Sequence, residues 1–112
     1  MKALPPRALE GFEEVLAGKL FALDGRRYAD EAGDSGASAD GFLYSRCFVV
    51  ARGKDFYEAV LADPTQMPKS IDDWCEALLS AASETYERAT GAKWSFTTSL
   101  SYETGSNDAL WR

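Results

Sequence analysis

SADGFLYSRCFVVARGKDFYEAVLADP, residues 38–64, decides how this chain folds. It sets one arginine, Arg46, among apolar residues and closes with a series of stop signals. Phe42, Leu43, Tyr44, Phe48, Val49 and Val50 are good strand formers. The same stretch also yields two rows at helical steps, one of Phe42, Arg46 and Val49, the other of Leu43, Cys47 and Val50. A buried helix is the favoured reading, capped by Ser38 or Asp40 and stopped by Gly53. The strand alternative for residues 42–51 stays open at this level. Asp55, Phe56, Tyr57, Val60 and Leu61 form a brief following helix, which Pro64 cannot join without loss of a backbone hydrogen bond.

Upstream, Leu9, Phe12, Leu16, Leu20 and Leu23 recur at steps of three and four, with Glu10, Glu13, Glu14 and Lys19 on other faces. Pro5 and Pro6 precede this amphipathic helix, and Asp24 and Gly25 end it. A short helix over Arg26 to Ala32 follows. Residues 33–39, GDSGASA, are too poor in apolar side chains to pack and read as a mobile loop. Downstream, Ser70 and Asp73 have the spacing of a capping box, and Trp74, Leu78, Ala82 and Tyr86 mark one helical face before Gly91. Trp94, Phe96, Leu100 and Tyr102 then alternate with Ser and Thr, which predicts an extended strand laid on the helices. The fold class is therefore mostly α: residues 1–112 form a small single-domain helical bundle with an extended or single-strand C-terminal tail.

With 46% hydrophobic and 27% charged residues, the chain has the balance of an ordinary globular protein. No apolar run approaches the roughly 20 residues that cross a bilayer, and the start breaks at two prolines before a signal-peptide core could form. Membrane association is not expected, and the localisation read is cytoplasmic. Cys47 and Cys75 stand far apart outside any CxxC pattern, so both read as core thiols. Histidine is absent. That excludes Ser-His-Asp and Cys-His nucleophilic catalysis and HExxH zinc sites. The net charge is -6, with the acidic excess concentrated in residues 54–112, and no basic stripe exists to neutralise phosphates. Nucleic acid is thus not an expected partner.

Several blocks together are similar to the bacterial domain-of-unknown-function family 4240: the run Ser38 to Ala59, LADP with its sequel QMPKS, the helix ending in ETYERATG, and the tail SYETGSN. The resemblance extends from Phe12 to Trp111 and rests chiefly on the DGFxYxR and YETxSN blocks. It implies a mostly helical fold and brings no activity with it.

Arg46 is the sharpest candidate for chemistry, because a guanidinium on an apolar face must find a carboxylate, a carbonyl or an anionic ligand. Asp40, Glu76 and Glu103 are its candidate counter-ions, although Asp40 reads first as a helix cap. The tail from Tyr102 to Asp108 is dense in hydrogen-bonding groups, and a turn through Ser106 and Asn107 could aim backbone amides at a ligand. In an enzymatic site Glu103 is the natural general acid or base, Tyr102 or Tyr44 the proton donor, and Arg46 the holder of negative charge. Glu103, Asn107 and Asp108 lack the spacing of a calcium loop, so no metal site is called, and no cofactor either. Trp111, near a polar terminus, is the aromatic expected to be exposed and engaged with a partner.

Two readings follow. The preferred one is a non-enzymatic interaction or regulatory module that binds a protein partner or a second copy of itself, with an immunity or antitoxin-like role as a special case. The alternative is a small histidine-free acid-base enzyme or small-molecule binder, its pocket lined by Tyr44, Arg46, Tyr102, Glu103 and Asn107.

Overall fold

Helix α3, Ala39–Ala51, is the axis on which the other elements pack. The structure, a computed structural model, describes residues 6–70, 72 and 74–112. Ser38 is extended, and its Oγ accepts a hydrogen bond from the Gly41 amide at 3.0 Å, so Ser38 rather than Asp40 is the cap. Asp40 sits exposed in the first turn, where its charge complements the helix dipole. Gly41, Phe42, Leu43, Ser45, Arg46, Cys47 and Val49 are all buried, which leaves α3 without a single apolar face. A helix covered on all sides has no clean 3.6-residue pattern, and this is why the segment also reads as a strand.

Helix α1, Pro6–Ala22, packs on α3 through Leu16 and Leu20 against Leu43 and Cys47. Helices α2, Arg26–Glu31, and α4, Lys54–Ala62, enclose the other side of α3, where Leu23, Ala29, Phe42, Val49, Tyr57, Val60 and Met67 form the larger apolar cluster. Each such aliphatic or aromatic side chain taken out of water contributes about 1.5–3 kcal/mol. Val50 packs against both clusters and joins them into one core.

Three expectations need correction. The stretch read as an unpacked mobile loop contains a 3-10 helix, Gly33–Ala37, whose Ser35 is buried. Small residues permit this, since a Cβ on Gly36 would collide with the Ala29 carbonyl oxygen. The helix expected from Ser70 onward starts late: a 3-10 turn, Glu76–Ser80, leads into α5, Ala81–Thr90. Ser70 Oγ accepts from the Asp72 amide, while Asp73, its proposed capping partner, lies outside the described residues, as does Pro5. Trp74 precedes the helix because its indole N–H donates to Ser35 Oγ at 2.9 Å and its ring tilts onto Tyr44.

The tail also differs. There is no strand among the described residues; residues 92–107 run irregularly and a short helix, α6, Asp108–Trp111, closes the chain. With no neighbouring strand to pair with, the tail amides go to carboxylates instead: Trp94 N–H to Glu87 and Ser99 N–H to Glu14. No helix of the described residues is long and apolar enough to cross a membrane.

Candidate functional site

Most of the residues singled out from the sequence divide between two places. One is a clasp at the C-terminal end of α1, where the last carbonyls of a helix lack intrahelical partners. Three successive ones accept from side chains elsewhere: Lys19 O from the Tyr57 hydroxyl at 2.9 Å, Leu20 O from Arg46 Nη1 at 2.9 Å, and Phe21 O from Asn107 Nδ2 at 2.8 Å, the last two in addition to the Leu23 and Asp24 amides. Arg46 is fully buried, stacks 4.6 Å from the Phe42 ring centre, and donates its Nη2 to Thr104 Oγ1 at 3.0 Å. Its positive charge at a helix C-terminus complements the dipole of α1. Burial lowers its pKa, and nearby Asp24 opposes that shift.

Asp24 forms the other half of the clasp. Fully buried, it accepts from the Gly105 amide at 3.0 Å, the Asn107 amide at 2.9 Å and the Trp111 indole N–H at 2.7 Å. Gly105 has φ +96°, a conformation side chains resist, and this turns its amide toward the carboxylate. Trp111 is consequently engaged inside the chain: its ring meets Phe42 edge-on at 5.9 Å and its carbonyl accepts from Arg26. The Ser106 hydroxyl donates to Ser101 Oγ rather than lining a ligand turn.

The second place is a cleft of about 550 Å³ between α1, α5 and the tail. Glu13, Leu79 and Ser83 form one wall; Trp94, Phe96, Thr97, Thr98, Ser99, Ser101, Tyr102 and Glu103 form the other. Glu13 is only 6% exposed, and its Oε1 has no hydrogen-bond partner among the described residues. Burial raises its pKa above the ordinary carboxylate value. Burial also raises the Tyr102 pKa, and the charges of Glu13 and Glu103 add to that shift. The Tyr86, Trp94 and Phe96 rings stack edge to face at 5.2 and 5.9 Å, which stiffens the tail wall.

The constellation of Tyr44, Arg46, Tyr102, Glu103 and Asn107 is therefore divided in its contacts, although the Glu103 charge still acts on Arg46 and Tyr44, raising the pKa of each. Arg46 and Asn107 belong to the clasp, Tyr102 and Glu103 to the cleft, and Tyr44 rests against Trp74. No ion pair among the described residues joins Arg46 to Asp40, Glu76 or Glu103. No group of three or more metal-ligating side chains comes together among them either. Sequence reasoning missed Glu13 and Asp24. Asp24 registered only as a helix stop, while Glu13 was assigned to a polar face although it lies four residues after Leu9 and three before Leu16, within the buried stripe. Phe12, counted on that stripe, is 42% exposed.

Residues 1–88 match the family described as "Protein of unknown function (DUF4240)". The chain belongs to this family. Glu13, Asp24, Arg46, Leu79 and Ser83 lie within the matched family region, while the tail wall of the cleft and the YETxSN block lie beyond it. No curated protein and no solved structure matches the chain.

Proposed function

We propose that this chain is a non-catalytic, cytoplasmic binding domain whose ligand site is the Glu13 cleft. The observation that carries the reading is the Glu13 carboxyl, nearly buried, unpartnered at Oε1 and lining a cleft of about 550 Å³. A buried polar atom left without a hydrogen bond costs about 1–3 kcal/mol. A ligand donor brought against the Glu13 carboxyl offsets part of that cost, and the cleft volume suits a small molecule or a side chain of a partner. The interaction-module reading is thereby narrowed from the acidic surface at large to one site. The enzyme reading loses its holder of negative charge, since Arg46 caps α1 instead. Among the described residues that line the cleft, the carboxyl and phenol groups are those of Glu13, Glu103 and Tyr102, with the Tyr102 hydroxyl shifted away from neutrality.

The test is protein-observed NMR with a mixed fragment set on the isotope-labelled wild type and on Glu13→Leu, with circular dichroism to confirm that the variant folds. Fragments should bind the wild type, perturb Trp94 and Tyr102, and be lost in the variant. Fragments that bind both proteins equally, or that perturb only residues outside the cleft, would refute the site.

A further inference from the structure

We infer that the Glu13 cleft takes an organic cation bearing N–H donors, its charge set between Glu13 and Glu103 and its apolar body lying on Trp94 and Phe96. The inference rests on the reading of the cleft as a ligand site and adds the chemistry of the occupant.

Four observations lead to it. The charged groups lining the cleft are both carboxyls, and no lysine or arginine is among the described residues that line it. An anionic ligand would meet repulsion from Glu103 and find no counter-charge. Glu13 forms no ion pair among the described residues, so a desolvated acid faces the cavity without the cation that burial ordinarily demands. Trp94, Phe96 and Tyr102 line the cleft, and the quadrupole of an aromatic ring attracts positive charge to its face. The net charge of -6 raises the local concentration of cations in the same direction.

The remaining choice is the kind of cation. Two carboxyls fall short of the six or more oxygen ligands that calcium takes, and no group of three metal-ligating side chains exists among the described residues. A cleft of about 550 Å³ also exceeds what a bare ion fills. The Glu13 and Glu103 carboxyls that line the cleft accept hydrogen bonds, which ammonium and guanidinium groups can donate and quaternary ammonium cannot. A free alkylamine and a lysine or arginine side chain of a partner present this same chemistry.

Titration calorimetry at low ionic strength would compare pentylammonium, pentanol and pentanoate, three probes of one size and different charge. Pentylammonium should bind at least tenfold more tightly than pentanol, and pentanoate should not bind. Glu13→Gln should weaken pentylammonium about tenfold; Glu103→Gln, at an exposed position that leaves packing untouched, should weaken it severalfold. A parallel arm with acetyl-Gly-Lys-Gly-amide separates the sources: tighter binding than pentylammonium assigns the cleft to a partner's side chain, weaker binding to a free amine. Pentanol or pentanoate binding as tightly as pentylammonium, or both variants binding it unchanged, would overturn the cation assignment while leaving the cleft as a site. Absence of binding by every probe, together with a fragment set that also leaves the cleft silent, would remove the site and the assignment together.

Discussion

Replacing Asp24 by alanine should cost the fold about 3–5 kcal/mol, because this carboxylate holds the C-terminal segment onto α1. It accepts three hydrogen bonds of 3.0, 2.9 and 2.7 Å, all from residues of the tail. Bonds to an ionised acceptor contribute about 1.5–3 kcal/mol each, so their uncorrected sum is about 4.5–9 kcal/mol. Burying the carboxylate offsets several kcal/mol of that, and the exposed Gly105 amide can turn to water once released. Removal of Asp24 also deprives the buried Arg46 of the charge that most opposes its desolvation, which adds to the cost. The net figure is a large share of the roughly 5–15 kcal/mol typical of a domain. Urea unfolding followed by circular dichroism and tryptophan fluorescence measures it. A double-mutant cycle of Asp24→Ala with Trp111→Phe isolates the 2.7 Å bond, since Phe keeps an aromatic ring without the N–H and Ala removes the acceptor, and should give a coupling of about 1 kcal/mol or more. A loss below about 1 kcal/mol for Asp24→Ala, together with zero coupling, would refute the clasp as a stabilising element.

Three other outcomes are expected. Arg46→Leu should destabilise by about 1–3 kcal/mol in the same urea assay, since the buried Leu20 O and the half-buried Thr104 lose a charged donor although Leu20 O keeps the Leu23 amide; an unchanged midpoint would deny the capping role. Glu13 has its folded pKa raised, so its favourable contribution is full below the ordinary carboxylate pKa and is lost as pH rises through the folded value. Glu13→Gln should therefore be more stable than wild type at neutral pH and lose that advantage near pH ~4, below the ordinary glutamate value of ~4.3; parallel pH profiles would contradict the burial. Cys47 is fully buried with its thiol pushed up to about 12, so a thiol reagent should modify the half-buried Cys75 in the native protein and reach Cys47 only on unfolding. Two thiols reacting at once without urea would rule this out.

The legible part of the site and the hidden part differ in sequence distance. Ser38 capping α3, Gly53 and Gly91 stopping helices, and Pro64 preventing continuation all act within a few residues of where they stand. Arg46 was legible as a buried cation, because its neighbours at helical steps are apolar; its partners were not, because Leu20 and Thr104 lie 26 and 58 positions away. Asp24 carries no local mark at all, since its three donors come from beyond position 104. Glu13 left a trace, a carboxyl in the row of Leu9, Leu16 and Leu20, which a helical wheel centred on that row would have shown.

The sequence by itself determined a mostly helical chain, the places where most of its helices start and stop, the absence of histidine chemistry and the need to satisfy one buried arginine. These are consequences of backbone sterics, short-range hydrogen bonding and the side-chain inventory, all of which act locally. The tertiary structure decided that α3 lies at the centre, that the tail is held by carboxylates instead of a strand ladder, and that Glu13 faces a cleft. Those outcomes depend on which distant groups satisfy a helix end or an unpaired amide once the core has closed, and no periodicity along the chain encodes that choice.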